Sequence, residues 1–215
     1  MNLPRVYPIV DLAAFASAED PIPAVSHFVD ALIRGGATIL QLRDKVGGAR
    51  RTLSCARELR RITRDRARLI INDRADLALA AGADGVHLGQ DDLPPNLVRP
   101  IFAVAEPGDN RQPLWIGYST HNLDQIHLAN SMPVDYIAVG PVFATASKAN
   151  PDPVVGINGV RQARQATTKP LVAIGGITRG NCLEVREAGA DSVAVISDLL
   201  ESPGKAVEEF LRILG

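Results

Sequence analysis

Gly36-Ala37-Thr38-Ile39-Leu40-Gln41-Leu42-Arg43-Asp44-Lys45 reads as a turn, a strand and a charged exit. The glycine suits the left-handed conformation that ends a helix, and the apolar run from Thr38 to Arg43 is a β-strand. Side chains alternate along a strand. Gln41, Arg43 and Lys45 therefore share one side, while Leu40 and Leu42 take the other, where helices can pack. An amide and two cations converging on one strand end form an anion clamp. The plainer reading of the same residues is a solvated strand end.

The unit recurs. Gly82-Ala83-Asp84 and Gly189-Ala190-Asp191 also precede apolar strands. Spacing predicts strands at Val6–Val10, Thr38–Arg43, Arg68–Asn72, Gly85–Gly89, Leu114–Ser119, Tyr136–Gly140, Leu171–Gly176 and Ser192–Ser197, with helical patterns between them. Ile22, Val25, Val29 and Leu32 make one helical stripe, and Val207, Phe210, Leu211 and Leu214 another. Strand–helix alternation implies a parallel sheet covered by helices. Eight such units in 215 residues predict an α/β fold, a single (β/α)8 TIM barrel filling 1–215 as one domain. A doubly wound open sheet is the alternative, weakened by the lack of GxGxxG after the first strand. The stretch Ala105–Pro113 reads as a surface insertion.

Composition narrows the function. The chain is 46% hydrophobic with net charge −1, which suits a globular protein with a sizeable core and gives no case for nucleic acid or membrane partners. Its densest basic run, Arg57 to Arg68, carries Leu53, Ala56, Leu59 and Ile62 at helical spacing, so the arginines form a solvated helix face. Cys55 and Cys182 lie far apart and read as reduced, half-buried thiols. With no charged n-region before an apolar h-region, and no membrane-length apolar run, a cytoplasmic location is expected. Homo-oligomerisation stays open.

A (β/α)8 barrel builds its site at the carboxyl ends of its strands, and the polar residues cluster there. Asn72-Asp73 ends the third strand, Gly89-Gln90-Asp91-Asp92 the fourth, and Ser119-Thr120-His121 the fifth. Thr145, Ser147 and Lys148 follow the sixth, Gly175-Gly176 the seventh, and Ile196-Ser197 the eighth. Asp73 and Asp92 on neighbouring strand tips suggest a Mg²⁺ site completed by water and substrate phosphate. Helix capping competes for each aspartate, and Asp91 competes with Asp92. The last two strand ends suit phosphate. His87 reads as a packed, hydrogen-bonded residue, and His27 and His127 as structural or exposed. His121 is left as the one acid–base candidate. GxSxG and a Cys/His pair are both missing, which speaks against covalent catalysis.

In this order the segments resemble the thiamine-phosphate synthase family from Val6 to Ser197. The resemblance rests on Gln41-Leu42-Arg43-Asp44-Lys45, Asn72-Asp73, Gly85-Val86-His87-Leu88-Gly89-Gln90-Asp91-Asp92-Leu93-Pro94, the Ser119 strand end, Gly140-Pro141-Val142-Phe143, Lys148 and Ile174-Gly175-Gly176-Ile177. It implies a transferase that condenses an aminopyrimidine-methyl diphosphate with a thiazole phosphate, or the thiazole's carboxylated precursor. The products would be thiamine phosphate and pyrophosphate. It further implies that Gln41, Arg43, Lys45, Asn72, Ser119 and Lys148 hold the pyrimidine diphosphate, with Arg43, Lys45, Lys148 and Ser119 serving catalysis. Thr145, Ser147, Gly176, Ile196 and Ser197 would hold the thiazole phosphate, and Asp73 and Asp92 would bind Mg²⁺. In the family pyrophosphate departs first and the unprotonated thiazole nitrogen attacks the resulting cation, so charge stabilisation matters and a strong base does not. Ala144 and Ser147 stand where the family has proline and threonine, and Pro8 where an aliphatic residue is usual. Alternatives are a thiazole tautomerase using His121, a non-catalytic precursor-binding regulatory barrel, and a phosphate-binding barrel of tryptophan biosynthesis.

Overall fold

A computed structural model describes residues 3–17, 20–104, 113–145 and 152–215. Eight parallel strands close in sequence order into a barrel. They are β1 (Val6–Asp11), β2 (Ile39–Arg43), β3 (Arg68–Asn72), β4 (Gly85–Leu88), β5 (Trp115–Thr120), β6 (Tyr136–Val139), β7 (Leu171–Ile174) and β8 (Ser192–Val195). The helices are α1 (Ile22–Arg34), α2 (Ala49–Thr63), α3 (Ala75–Ala81), α4 (Pro95–Val104), α5 (Leu123–Ser131), α6 (Gly156–Ala166), α7 (Cys182–Glu187) and α8 (Pro203–Leu214). Among the described residues no helix is long and apolar enough to cross a membrane.

Strand alternation separates two cores. Leu40, Leu42, Leu69, Ile71, Val86, Leu88 and Ile116 face outward and pack with the helical stripes of α1, α2 and α8. Tyr7, Ile9, Ile39, Ile70, Tyr136, Ala138, Val172 and Ala194 fill the barrel. The register of β2 sets Gln41 opposite Ile9 and Ile70, so Gln41 and Arg43 follow Ile39 on the inner face. Alanines on β6 and β8 occupy little of the interior, and a cavity of about 500 Å³ opens above them.

Four expected strands end early, β4 at Leu88 and β6 at Val139 by one residue each, and β7 and β8 by two. β7 stops at Ile174 because Gly175 and Gly176 turn to φ +104° and +63°. β8 stops at Val195 because Ser197–Leu199 winds into a 3₁₀ turn. Cys55 and Cys182 are fully buried free thiols rather than half-buried ones, since their helices turn them onto the outer core. The surface insertion expected at 105–113 lies, but for Pro113, outside the described residues.

The amino ends of three strands carry the same ion-paired clasp. Asp84 accepts Leu69 N–H at 2.8 Å and Arg60 Nη1 at 2.9 Å on one oxygen. Asp135 does so for Ile116 N–H at 2.7 Å and Arg99 Nη2 at 2.5 Å. Asp191 does so for Leu171 N–H at 2.8 Å and Arg164 Nη1 at 2.9 Å. Each aspartate precedes one strand, caps the strand before it, and is held by an arginine from the helix that leads into that capped strand. This is the physical content of the repeated Gly-Ala-Asp. Thr38 stands at the matching place in the first unit, where only its carbonyl contributes, accepting Arg68 N–H at 2.9 Å.

Candidate active site

The cavity lies at the carboxyl ends of the strands. Gln41, Arg43, Lys45, Asn72, Asp73, Asp92, Ser119, Thr145, Gly176, Ile196 and Ser197 all line it. Those strand-end residues come together because a closed barrel turns eight separate termini into one rim. Ser147 and Lys148 lie outside the described residues, so of the residues expected to hold the diphosphate all but Lys148 can be placed on the cavity.

Arg43 is oriented from beneath. Its guanidinium pairs with Asp11 at the end of β1, and Asp11 is buried and also accepts Ala13 N–H at 3.1 Å. Lys45 leaves the strand and reaches Asp73 Oδ2 at 2.5 Å. Asp44, between them, turns the chain: its carboxylate accepts Gly47 N–H at 2.7 Å and the Thr52 hydroxyl at 2.9 Å. With its side chain closed to solvent, Asp44 ties the Lys45 loop to the first turns of α2.

Asp73 does not cap α3. That helix has Arg74 at its N-cap with no side-chain cap, and Asp73 sits at φ +63°, a conformation unusual outside glycine. Its N–H donates to His87 O at 2.7 Å. Asp92 does not cap α4 either, because its carboxylate turns back to accept Gly89 N–H at 2.6 Å. Burial pushes the Asp92 carboxyl up, the Gly89 N–H opposes this, and the neighbouring Asp73 adds to the rise. Asp91 is exposed, and the pair that meets is Asp73 with Asp92.

Two hard carboxylates from adjacent strand ends, crowded enough to disfavour joint ionisation, suit a hard divalent cation. Among the described residues no group of three or more His, Cys, Asp or Glu could hold a metal. A cation here would thus take two protein carboxylates, with its remaining positions open to water and phosphate oxygens.

Across the rim, Gly175 and Gly176 admit close backbone approach. A Cβ on Gly176 would fall 2.6 Å from Ala144 O, and one on Gly175 2.6 Å from Pro141 Cα. Val142 N–H and Phe143 N–H donate to Ile174 O and Gly175 O at 2.9 and 3.0 Å, so the loop after β6 is laid against these glycines. Ser197 opens its 3₁₀ turn beside them, fixed by Asp198, whose carboxylate accepts Arg179 N–H and Nε at 2.9 Å each.

Residues 7–199 match the family described as "Thiamine monophosphate synthase". The chain belongs to the thiamine monophosphate synthase family. It is 51% identical to a thiamine-phosphate synthase of Koribacter versatilis, over all of this chain and 97% of that one. A second relative, from Methanoregula boonei and of the same name, is 47% identical over 79% of this chain and 75% of its own. Among solved structures, a thiamine phosphate pyrophosphorylase from Pyrococcus furiosus superposes with a TM-score of 0.81. It is 33% identical and covers 98% of this chain and 95% of its own. The chain is accordingly an enzyme, a transferase of thiamine biosynthesis.

In this family member the site includes residues that strand-end reasoning passed over. Asp11 orients Arg43, and its only sequence signal is inward parity with Tyr7 and Ile9. Tyr7 and Tyr136 lie within the barrel, their hydroxyls 2.9 Å apart, and His87 joins them: Nδ1 is 3.1 Å from Tyr136 Oη and Nε2 is 2.9 Å from Ser119 Oγ. His87 is the packed, hydrogen-bonded histidine expected from its place in a strand. Burial lowers its pKa to about 4, so it is uncharged near neutrality. His27 and His127 are exposed. His121 sets Nδ1 2.6 Å from Gly140 O and Nε2 3.5 Å from Asp152 Oδ2. That contact gives His121 a role in joining β5 to the loop after β6.

Proposed function

We propose that the condensation to thiamine phosphate runs in this one cleft, with the diphosphate of the pyrimidine substrate lying across Arg43, Lys45, Asn72 and Lys148. The pyrimidine ring would sit deeper, between Gln41 and Ser119. The thiazole phosphate would meet Thr145, Ser147, the Gly176 turn, Ile196 and Ser197. The observation that carries this reading is the convergence of Arg43 and Lys45 with the Asp73–Asp92 pair on the same rim as the Gly175–Gly176 and Ser197 turns. One side is built to take a diphosphate and the other a monophosphate.

Asp73 and Asp92 would hold Mg²⁺, which when bound would supply charge neutralisation for a diphosphate leaving group. The chain's own residues do the rest. Arg43, held by Asp11, presents fixed guanidinium donors to the leaving group. Lys45 already spans the distance to Asp73, so it can serve whichever anion lies beside that carboxylate. Alanines 138 and 194 and the isoleucines 174 and 196 give the cavity an apolar floor and wall, which excludes water from the short-lived cation. The thiazole nitrogen attacks without losing a proton, and no base is needed at the meeting point.

The test is an assay of the purified protein with both phosphorylated precursors, with and without Mg²⁺, following thiamine phosphate and pyrophosphate. Formation of both products in a Mg²⁺-dependent manner is expected. A folded protein that binds the thiazole phosphate but makes no product would leave the tautomerase or the regulatory barrel in its place.

A further inference from the structure

Five side chains cross the inside of the barrel in an unbroken line. Gln41 Nε2 donates to Tyr7 Oη at 3.2 Å. Tyr7 Oη is 2.9 Å from Tyr136 Oη, Tyr136 Oη is 3.1 Å from His87 Nδ1, and His87 Nε2 is 2.9 Å from Ser119 Oγ. The three central residues are almost closed to solvent, at 1%, 0% and 8% exposure. Gln41 and Ser119, at the two ends, line the cleft, as do Tyr7 and His87, while Tyr136 does not.

A chain of this kind has a direction. Each tyrosine has one O–H to give, and an uncharged imidazole has one N–H. Because Gln41 gives Tyr7 a proton, Tyr7 spends its own on Tyr136, and Tyr136 spends its own on His87 Nδ1. The imidazole proton is left on Nε2 and points at Ser119 Oγ. Ser119 accepts there, so its hydroxyl proton is free for the cleft. Any break in this order would strand a buried O–H without an acceptor, which is costly. His87 stacks on Tyr136, with centroids 5.5 Å apart. Gly117 clears the space around them: a Cβ there would lie 2.3 Å from Tyr136 Oη and 2.4 Å from His87 Nδ1.

We infer that Tyr7, Tyr136 and His87 are positioning residues that fix the polarity of the pyrimidine end of the cleft, making Gln41 Oε1 an acceptor and the Ser119 hydroxyl a donor. This rests on the reading of that end as the pyrimidine site. An aminopyrimidine supplies the complement, an amino N–H for Gln41 Oε1 and a ring nitrogen for Ser119. A hydroxypyrimidine diphosphate of the same shape, in its keto form, turns an acceptor toward Gln41 Oε1 and is disfavoured. The selectivity is then set by buried groups that touch neither phosphate nor metal, through the cost of an unmet hydrogen bond.

Two measurements test it. Long-range ¹H–¹⁵N correlation on the substrate-free protein, with the His87 signals assigned through His87→Gln, is expected to show a protonated Nε2 and a bare Nδ1. The opposite tautomer, or an imidazolium at neutral pH, overturns the proposal. Tyr136→Phe removes one link while keeping the ring. It is expected to lower kcat/KM for the pyrimidine diphosphate roughly tenfold and to narrow discrimination against the hydroxypyrimidine analogue, with KM for the thiazole phosphate unchanged. Equal losses on both substrates, or undiminished discrimination, overturn it. If the wild-type protein made no thiamine phosphate the proposed function would fall, and the tautomer would still decide the direction of the chain.

Discussion

Asp11 and Asp92 illustrate how much of this site depends on carboxylates that hold other groups. Asp92 bonds Gly89 N–H, so an alanine there loses both a metal oxygen and a loop contact. Asp92→Asn keeps the loop acceptor and removes only the charge. It is expected to reduce turnover far more than thiazole-phosphate binding, as compared by steady-state kinetics and titration calorimetry. Matching losses in both would contradict a role confined to the diphosphate. Lys148→Ala is expected to slow pyrophosphate departure by roughly 2–4 kcal/mol, the range for a preorganised charge-stabilising donor, read in single-turnover experiments. Gln41, Arg43, Asp73 and Ser119 could be picked out by their place at predicted strand ends. Asp11 and Tyr7 could not, because their roles arise from neighbours on another strand. Nothing in Val6–Asp11 announces Arg43 as a partner some thirty residues on.

The βα units share a device that the repeated Gly-Ala-Asp only hints at. The glycines were legible as helix ends, and Gly36, Gly82 and Gly189 do take positive φ. The aspartates' double duty, capping one strand while held by an arginine, was not, since it joins a turn to the strand and helix before it. Asp135 lacks the glycine and would be missed by the motif, yet it makes the same clasp. Asp84→Ala and Asp191→Ala each leave a strand N–H without its acceptor and are expected to cost about 1–3 kcal/mol of unfolding free energy, measured by urea denaturation. The double variant should be close to additive, because the two clasps share no residue. A double variant no worse than either single change would show that the clasps act as one unit. Gly117→Ala belongs to the same level: the added methyl has no room beside Tyr136, and overpacking of this kind costs about 1–3 kcal/mol, visible as a lowered Tm.

Barrel closure gives the protein an acid-sensitive interior. His87 has a folded pKa of about 4, against about 6.5 for an unfolded histidine. Between those values the unfolded chain binds more protons than the folded one, so stability falls as pH falls. The His87 contribution is complete above about pH 6.5 and lost by about pH 4, roughly 3 kcal/mol in all. Urea midpoints taken across that window in chelator should show the decline, and His87→Gln should flatten it. A wild-type profile as flat as the variant's would refute this account. The order of strands and helices, the two faces of β2 and the family were all readable from the chain, because periodicity is local and motif order is linear. The eightfold closure that gathers Gln41, Asp73, Ser119 and Ser197 around one cavity is a property of the folded barrel. So are the Asp11–Arg43 pair and the directed line from Gln41 to Ser119, for each joins strands distant in sequence, and their hydrogen bonds exist only once the barrel has brought those strands face to face.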